Sequence, residues 1–161
     1  MQHSTAFHSD KPPVETVHFL GNLLTFRAGA ADTDNQFSIT ECLTAPGAGA
    51  PPHSQTDAEA FLVTEGQYEF LLNGTQKICG KGDFLFVRAG DVHAFRNPGE
   101  VVARMLIINL PAGQHEGFFR AVGDAVAPET EQFPAMGEPD MPRIFAAAEN
   151  FGITLLPPPK A

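Results

Sequence analysis

The chain has 161 residues, 43% hydrophobic and 18% charged, which is the composition of a globular domain and not of a disordered chain. Ten basic residues against 19 acidic ones give a formal net charge of −9. Nucleic acid and anionic membrane surfaces are therefore not expected as partners, since both select Lys and Arg. The N-terminus has no signal-peptide pattern and no apolar run approaches the ~18 residues of a membrane span. We therefore expect a cytoplasmic protein.

Two residue types add to this outline. Fourteen Phe, one Tyr and no Trp predict a core or a pocket rich in apolar aromatic rings. Cys42 and Cys79 lie in neither a CxxC motif nor a Cys/His cluster. We expect both to be reduced thiols buried in strands.

Short strands separated by Gly, Pro and Asn turns are predicted for most of the chain up to residue 112, after a polar arm at residues 1–13. No helical period appears before residue 114. The pattern predicts an all-β, closed antiparallel barrel or jelly roll. The predicted strands cover residues 14–20, 23–28, 37–44, 59–64, 67–72, 75–79, 83–87, 93–96 and 101–110, with a Gly/Ala/Pro loop at 46–52.

Two of these strands have informative faces. Residues 37–44 alternate, which predicts a half-buried strand with Phe37, Ile39 and Leu43 on its apolar face and Glu41 as the exception. Residues 83–87 are apolar on both faces, which is typical of a strand covered on both sides.

Two helices are predicted after the last strand. The first, Gln114–Val122, has Phe118, Phe119 and Val122 on one face and ends at Gly123. The second begins at Asp140, an N-cap residue, and ends at Gly152, after an irregular segment at 124–139. Both are expected on the outside of the barrel or across one of its mouths. The predicted buried stripe of the second helix comprises Met141, Ile144, Phe145 and Ala148.

Four polar side chains have the spacing of a metal site. His53 and Gln55 are two residues apart and so point to the same face of an extended chain, and Glu59 keeps that parity. His93 comes from a separate predicted strand. Imidazole and carboxylate ligands suit Fe, Mn, Co, Ni, Cu or Zn, and two His with one carboxylate is the set of non-haem iron oxygenases. The alternative is that each is a hydrogen-bonded core residue.

The same residues resemble the two sequence motifs of the cupin superfamily. Gly47, His53, Gln55, Glu59 and Gly66 fall on the positions of the first motif, Gly, five residues, His-x-His, three or four residues, Glu, six residues, Gly. The second motif is Gly, five residues, Pro-x-Gly, two residues, His, three residues, Asn. It is matched by Gly82, Arg88, Gly90, His93 and Asn97.

The chain is similar to the small single-domain cupins called quercetin-dioxygenase-like, in segments such as EAFLVTEGQYEF and GDFLFVRAGDVHAFRNPG. The resemblance implies one cupin domain over 1–161, with a barrel at about 14–112, a helical extension at about 113–152 and tails at 1–13 and 157–161. It also implies one divalent transition metal, held by His53, Gln55, Glu59 and His93. Some members of that group open flavonols or related aromatics with oxygen.

Two positions depart from the motifs. Gln55 replaces the second histidine of the first motif, and an amide oxygen is a weaker ligand than imidazole. Gln55 thus binds as a fourth ligand, binds through water, or does not bind, while His53, Glu59 and His93 form a possible facial triad. Arg88 replaces the motif proline, and we expect it to be a solvated surface residue.

Other residues support weaker predictions. Five apolar strand residues either line a substrate pocket or belong to the barrel core, namely Phe61, Val63, Phe95, Met105 and Ile107. The four remaining histidines have no partner at ligand spacing and are expected at the surface, namely His3, His8, His18 and His115.

Three functions fit these features. The first is a metal-dependent dioxygenase for a small aromatic or enolic molecule, with Glu59 as metal ligand or catalytic base. The second is a cupin that binds a small molecule without chemistry, and the third is a non-redox metal-dependent isomerase or hydrolase. A homodimer is also expected, because the strands at 83–87 and 101–110 need cover outside the barrel.

Overall fold

A computed structural model describes residues 14–157, and the predicted arm at 1–13 and the last four residues lie outside the described residues. This part of the chain contains twelve strands, two α-helices and a 3-10 turn at Ala30–Asp32. The strands are β1 (Thr16–Phe19), β2 (Asn22–Ala28), β3 (Ser38–Thr44), β4 (Gly49–Gln55), β5 (Ala58–Glu65), β6 (Gln67–Leu72), β7 (Thr75–Gly80), β8 (Phe84–Val87), β9 (His93–Arg96), β10 (Ala103–Leu110), β11 (Asp124–Ala125) and β12 (Ile153–Leu155). The helices are α1 (Gln114–Val122) and α2 (Met141–Asn150).

The strands form two antiparallel sheets that face each other. The larger sheet has the order β11-β1-β2-β3-β10-β5-β8, and the smaller has the order β12-β4-β9-β6-β7. The core between them is rich in aromatic rings, as the composition predicts, and Phe61, Tyr68 and Phe70 are at most 1% exposed. This is the predicted all-β jelly roll with two short C-terminal helices.

The faces of β3 are the reverse of the prediction. Cys42 lies opposite Met105 and Thr40 opposite Ile107, and these inward residues are buried, whereas Phe37 is 37% exposed. One hydroxyl of this polar face is hydrogen-bonded in the core, whereas the buried Ser38 and Thr40 hydroxyls have no hydrogen-bond partner among the described residues. Thr44 Oγ1 accepts a hydrogen bond from the Tyr68 hydroxyl at 2.9 Å. A hydrogen-bonded hydroxyl loses most of the cost of its burial.

Strands β4 and β12 were not predicted. The Gly, Ala and Pro residues at 46–52 predict a loop, yet β4 begins at Gly49 and pairs with β9 on one side and β12 on the other. The pairing with β9 is irregular between Ala50 and His53, which accommodates Pro51 and Pro52 without the amide hydrogens that a regular ladder requires. The tail beyond Gly152 then pairs with β4 as β12.

Both predicted helices are present, with one error in the second. Asp140 accepts a hydrogen bond from the Arg143 amide at 3.1 Å, which confirms the N-cap. The buried stripe of α2 is Ile144, Ala147 and Ala148, whereas the predicted members Met141 and Phe145 are 42% and 55% exposed. The stripe is rotated because α2 packs against α1 and against β12, the edge strand of the smaller sheet.

Strand β8 is covered on one face only. Leu85 and Val87 point into the core, but Phe84 and Phe86 are 56% and 48% exposed. The prediction of cover on both faces is wrong for the single chain, because β8 is an edge strand and no further layer among residues 14–157 lies over its outer face. Val101 and Val102 precede β10 and are also exposed.

The cysteines and the helix lengths also bear on the sequence predictions. Cys42 and Cys79 are free, buried and located in β3 and β7, as predicted. Neither helix among residues 14–157 is long and apolar enough to cross a membrane.

Candidate metal centre

The four side chains predicted as ligands converge between the two sheets. His53 and Gln55 point inward from β4, Glu59 points inward from β5, and His93 is the first residue of β9. His53 lies directly opposite His93 in the β4–β9 pairing, and their ring centroids are 4.2 Å apart. All four are at most 9% exposed. The structure thus brings the four residues together, and metal binding by them stays a prediction.

Close backbone contacts hold these strands in place. A Cβ atom at Gly49 would lie 2.0 Å from the Phe95 carbonyl oxygen, so only glycine lets β4 approach β9 this closely. Gly90, with φ +87°, occupies the turn before β9 and donates its amide hydrogen to the Gln55 carbonyl at 2.8 Å. Gly49 and the motif glycine Gly90 therefore fix the distance between the His53 and His93 backbones.

The hydrogen bonds of His53 and His93 leave the same ring nitrogen free. Nδ1 of His53 lies 2.7 Å from the Pro51 carbonyl, and Nδ1 of His93 lies 3.2 Å from the Asp91 carbonyl. A carbonyl can only accept, so Nδ1 carries the hydrogen in both rings and Nε2 of a neutral ring has a lone pair. Nε2 of His93 lies 2.8 Å from Oε2 of Glu59, a contact that is favourable only with a proton or a cation between them.

Gln55 contacts the same carboxylate through its nitrogen. Its Nε2 donates to Oε2 of Glu59 at 3.2 Å, and its own Oε1 is buried without a hydrogen-bond partner. Asn109, opposite Glu59 on β10, donates to the other oxygen, Oε1, at 3.2 Å. Both oxygens of Glu59 are therefore held by amide groups, one from each sheet.

His115 is a further member of the site, and its expected surface position is wrong. It comes from the first turn of α1 and is 3% exposed. Its Nδ1 lies 2.8 Å from Oδ2 of Asp57, and its Nε2 lies 3.7 Å from Oε1 of Glu59. The sequence contained a signal, since His115 precedes Phe118, Phe119 and Val122 by three, four and seven residues and so shares the apolar face of the helix.

The other predictions for polar residues had mixed outcomes. Arg88 is exposed, as expected. His18 was expected at the surface, but it is 8% exposed within β1, where burial lowers its pKa against the attraction of Asp124. It lies on the outer side of the sheet opposite Leu23 and contributes nothing to the site. His3 and His8 lie outside the described residues.

The pKa values follow from burial and from mutual contact. Burial alone would raise the pKa of Glu59, but the rings of His115, His93 and His53 lower it to about 2. Burial and the neighbouring His93 ring lower the pKa of His53 to about 4. Burial also acts to lower the pKa of His115, but the carboxylates of Glu59 and Asp57 outweigh it and raise that pKa. At neutral pH the centre therefore holds an ionised Glu59 and a neutral His53.

This donor set fits a divalent transition metal. His53, Glu59 and His115 each present one ligand atom, and these atoms lie within 4.8 Å of one another. The Nδ1 atoms of His53, His93 and His115 face backbone carbonyls or the Asp57 carboxylate, so Nε2 of each neutral ring can serve as a ligand beside the ionised Glu59. Imidazole and carboxylate are the ligands of Zn, Fe, Mn, Co, Ni and Cu. The hydrogen bonds at Nδ1 also orient each ring as they do in known histidine metal sites.

A cavity of about 360 Å³ adjoins the centre, a volume in the range of small-molecule sites. Among the described residues that line it, the ionisable side chains are His53, Glu59 and His115. The rest of the lining is mostly apolar and comes from both sheets and both helices, which therefore form part of the cavity wall. The apolar lining includes Phe19, Leu20, Leu24, Pro51, Phe95, Ile107, Phe118, Phe119, Pro139, Met141, Ile144, Ile153 and Leu155.

The five predicted pocket residues divide into two groups. Phe95 and Ile107 line the cavity. Phe61, Val63 and Met105 are at most 1% exposed and pack in the core between the sheets, which was the alternative for each. Both helices contribute lining residues that strand parity could not indicate, such as Phe119.

The fold and the centre together define a class of protein: a small antiparallel β-barrel with a buried histidine and carboxylate cluster beside an apolar cavity. Residues 41–109 match the cupin domain family, Cupin_2. This stretch contains both motifs, and the match supports the predicted resemblance to the cupin superfamily.

Several known proteins have a similar sequence or structure. Quercetin 2,3-dioxygenase of Bacillus subtilis is 32% identical over 98 residues, which are 60% of this chain and 28% of that protein. The chain thus spans little more than a quarter of this relative's length. An RmlC-like cupin from Shewanella frigidimarina matches with a TM-score of 0.58 and 18% identity over 72% of this chain and 99% of that one. KdgF from Halomonas sp. matches with a TM-score of 0.57 and 16% identity over 63% and 89%. These two structures show a common fold.

Proposed function

We propose that the chain is a metal-dependent dioxygenase-like enzyme acting on a small aromatic or enolic molecule of flavonol type. The observation that carries the proposal is the apolar cavity of about 360 Å³ whose ionisable lining is the His53, Glu59 and His115 cluster. An apolar cavity with a few convergent polar groups is the usual form of a small-molecule site. The sequence similarity to a quercetin 2,3-dioxygenase supports the same reaction class.

The charge of the cavity favours a neutral substrate. No Lys or Arg is among the described residues that line it. Proteins bind carboxylate and phosphate groups mainly through Arg and Lys, so apart from the proposed metal, oxalate-like acids and sugar phosphates find no counter-charge in the lining. A planar phenol or enol, by contrast, can pack its ring against Phe95, Phe118 and Phe119.

The residues of the centre have distinct roles in this proposal. A divalent metal bound there would supply a Lewis acid for an enolate oxygen and, when redox-active, a route to O2. His53, His93 and Glu59 would hold it. The pKa of about 2 favours Glu59 as a ligand over a base, because a base transfers protons best with a pKa near the working pH. The aromatic lining excludes water from the reacting atoms.

The test begins with the metal. The full chain is stripped with a chelator, reloaded separately with Fe²⁺, Mn²⁺, Co²⁺, Ni²⁺, Cu²⁺ or Zn²⁺, and its metal content is measured by elemental analysis. O2 uptake is then followed with a panel of flavonols. We expect about one metal per chain and O2 uptake with at least one flavonol. His53→Ala should lose both, whereas His18→Ala, a buried histidine outside the site, should retain both.

The outcomes separate the three functions. Absence of stoichiometric metal after every loading contradicts the proposal and favours a binding module. Metal without O2 uptake, for any member of the panel, contradicts the dioxygenase and leaves non-redox isomerisation or hydrolysis. In that second case, calorimetry with the same flavonols determines whether the cavity still binds them.

A further inference from the structure

We propose that His115 is the metal ligand that replaces the missing second histidine of the first motif, with Asp57 as its positioning residue. The inference rests on the proposed metal site and specifies its ligand set as His53, Glu59, His93 and His115. Gln55 would then be a hydrogen-bond donor to Glu59 and not a ligand. The position of the fourth imidazole would thus have moved from a strand of the barrel to the first turn of α1.

The side-chain amide of Gln55 is oriented with its nitrogen toward Glu59. Its Nε2 lies 3.2 Å from Oε2 of Glu59 and donates a hydrogen bond to it. Exchanging the amide nitrogen and oxygen would place two oxygens at that distance, one of them ionised, which is repulsive. Glu59 therefore holds the Gln55 nitrogen toward the centre, and an amide N–H has no lone pair for a cation.

The His115 ring supplies the lone pair that Gln55 lacks. Nδ1 of His115 lies 2.8 Å from Oδ2 of Asp57, so its hydrogen is directed away from the centre. Nε2 of His115 lies 3.7 Å from Oε1 of Glu59, while Nε2 of His93 lies 2.8 Å from Oε2. Two imidazoles thus approach the two oxygens of one carboxylate. A cation in contact with all three groups would draw these lone pairs together.

Asp57 has the properties of a partner that orients a metal-bound histidine. It is 1% exposed, lies between β4 and β5, and accepts hydrogen bonds from His115 and from Asn109 Nδ2 at 3.1 Å. Metal-bound histidines commonly donate their second nitrogen to such a carboxylate. Two carboxyl groups, those of Asp57 and Glu59, are thereby buried in one cluster, and a divalent cation would balance their charge.

The first turn of α1 is held in this position by contacts that do not involve the centre. Glu116 accepts hydrogen bonds from the Gly113 amide at 2.7 Å and from the Ala30 amide at 3.2 Å. Gln114 donates to the Thr56 hydroxyl at 2.6 Å, which ties the helix to the turn that carries Asp57. His115 is therefore presented to the centre by the fold itself.

The experiment measures metal affinity and counts imidazole ligands. Co²⁺ binding to the chelator-treated full chain is measured by calorimetry for the wild type, His115→Ala, Gln55→Ala and His18→Ala. We expect His115→Ala to weaken binding by more than about tenfold, since even partners behind the ligands contribute that much. The matched control His18→Ala should stay within about threefold, and Gln55→Ala, which removes only a hydrogen bond to Glu59, should weaken binding less than His115→Ala does. The double variant Gln55→His/His115→Ala should recover most of the lost affinity.

A spectroscopic readout makes the test independent of folding in the variants. Pulsed electron paramagnetic resonance of the Cu²⁺-loaded wild type detects the remote nitrogen of each bound imidazole, and we expect three. Two in the wild type would overturn the proposal. Asp57→Asn should change the remote-nitrogen coupling of one imidazole and leave the other two unchanged, an effect that a purely structural role would not produce. Unchanged coupling would contradict the role of Asp57.

The failure of this inference is distinguishable from that of the proposed function. A wild type that binds neither Co²⁺ nor Cu²⁺ overturns both. Stoichiometric metal with equal affinity in His115→Ala and the wild type overturns the His115 assignment and leaves the proposed function intact. Weakening by Gln55→Ala, with His115→Ala unaffected, returns the fourth position to Gln55.

Discussion

The carboxylate of Glu59 lies 2.8 Å from Nε2 of His93, and both side chains are almost fully buried. This pair joins two strands of opposite sheets, since β5 belongs to the larger sheet and β9 to the smaller. The centre is thus one of the polar contacts that connect the two layers of the barrel. Its ionisation state must therefore affect the stability of the fold as well as metal binding.

We first predict that the metal-free protein loses stability on acidification. The pKa of His53 is lowered from 6.5 to about 4 in the fold, so the unfolded chain binds a proton first as the pH falls. This pKa difference contributes on the order of 3 kcal/mol to the free energy of unfolding. The contribution is fully present above pH 6.5 and is lost between pH 6.5 and about 4. Glu59, with a pKa lowered from 4.5 to about 2, adds a loss below pH 4.5.

Urea unfolding of the chelator-treated chain at several pH values provides the measurement. His115 acts in the opposite direction, because its raised pKa stabilises the fold below pH 6.5 and this contribution fades as the pH rises. The free energy of unfolding should therefore be greatest near neutral pH. His53→Ala should flatten the slope between pH 6.5 and 4. A slope that is the same in wild type and variant would contradict the assignment to His53.

The second prediction concerns the backbone that sets the His53–His93 distance. In Gly49→Ala, the new Cβ atom would lie 2.0 Å from the Phe95 carbonyl oxygen, so β4 must move away from β9. We expect a loss of about 3 kcal/mol or more in the free energy of unfolding, together with weaker metal binding.

Gly80→Ala is the matched control for this strand displacement. A Cβ atom at Gly80 would meet nothing within 4 Å, and its φ is not positive, so the change should stay within about 0.5 kcal/mol. Denaturant unfolding and Co²⁺ calorimetry of both variants check the prediction. A Gly49→Ala protein with normal stability and normal metal affinity would show that the close approach is dispensable.

The sequence predicted the barrel well because spacing is a local property. The positions of His53, Glu59 and His93 follow from two motifs of fixed length, and strand parity makes them face inward. The hairpin predicted from Asn73–Gly74 is also confirmed, since these residues form the turn between the paired strands β6 and β7.

What the sequence did not predict depends on long-range contacts. Asp57 and His115 are 58 positions apart, and only the return of α1 across the cavity brings them together. Strand β12 forms because residues 153–155 pair with the edge of β4. The sequence of these three residues alone does not indicate a strand. The inward face of β3 is likewise decided by partners such as Tyr68, which lies on the other sheet.

The third prediction assigns a structural role to the last residue of the second motif. Asn97 is fully buried, and its Nδ2 donates to the carbonyls of Thr44 at 2.9 Å and Val101 at 2.8 Å. Its Oδ1 accepts from the Gly99 amide at 3.0 Å. Asn97→Ala removes three hydrogen bonds, among them the buried one to the Thr44 carbonyl. We expect a loss of about 3 kcal/mol.

Asn150→Ala, at an exposed position at the end of α2, is the control for Asn97→Ala and should change stability by less than about 0.5 kcal/mol. Thermal and urea unfolding compare the two variants. Metal affinity of Asn97→Ala at a temperature where it remains folded should stay close to that of the wild type, because Asn97 touches no ligand. Equal stability of both variants would contradict the structural role.

Homodimerisation stays a prediction, and the structure indicates the surface on which to test it. On the outer face of the larger sheet, Phe84 lies opposite Leu62 and Phe86 opposite Ala60. Ile108 extends this uncharged surface onto β10. Two chains that each carry a net charge of −9 repel, so an uncharged face is where a second copy can approach most closely. Burial of the half-exposed rings of Phe84 and Phe86 by a second copy would remove apolar surface from water and so stabilise the dimer.

Light scattering coupled to size exclusion tests this surface directly. We expect the wild type to elute with twice the mass of the chain and Phe84→Ser/Phe86→Ser to elute as a monomer at the same concentration. Phe145→Ser is the matched control, because Phe145 is a 55% exposed phenylalanine on α2 and not part of this surface. Since two rings supply much of the apolar area, their loss should weaken association at least about tenfold. A monomeric wild type, or a dimer that the double variant leaves intact, would show that a second copy does not cover this face.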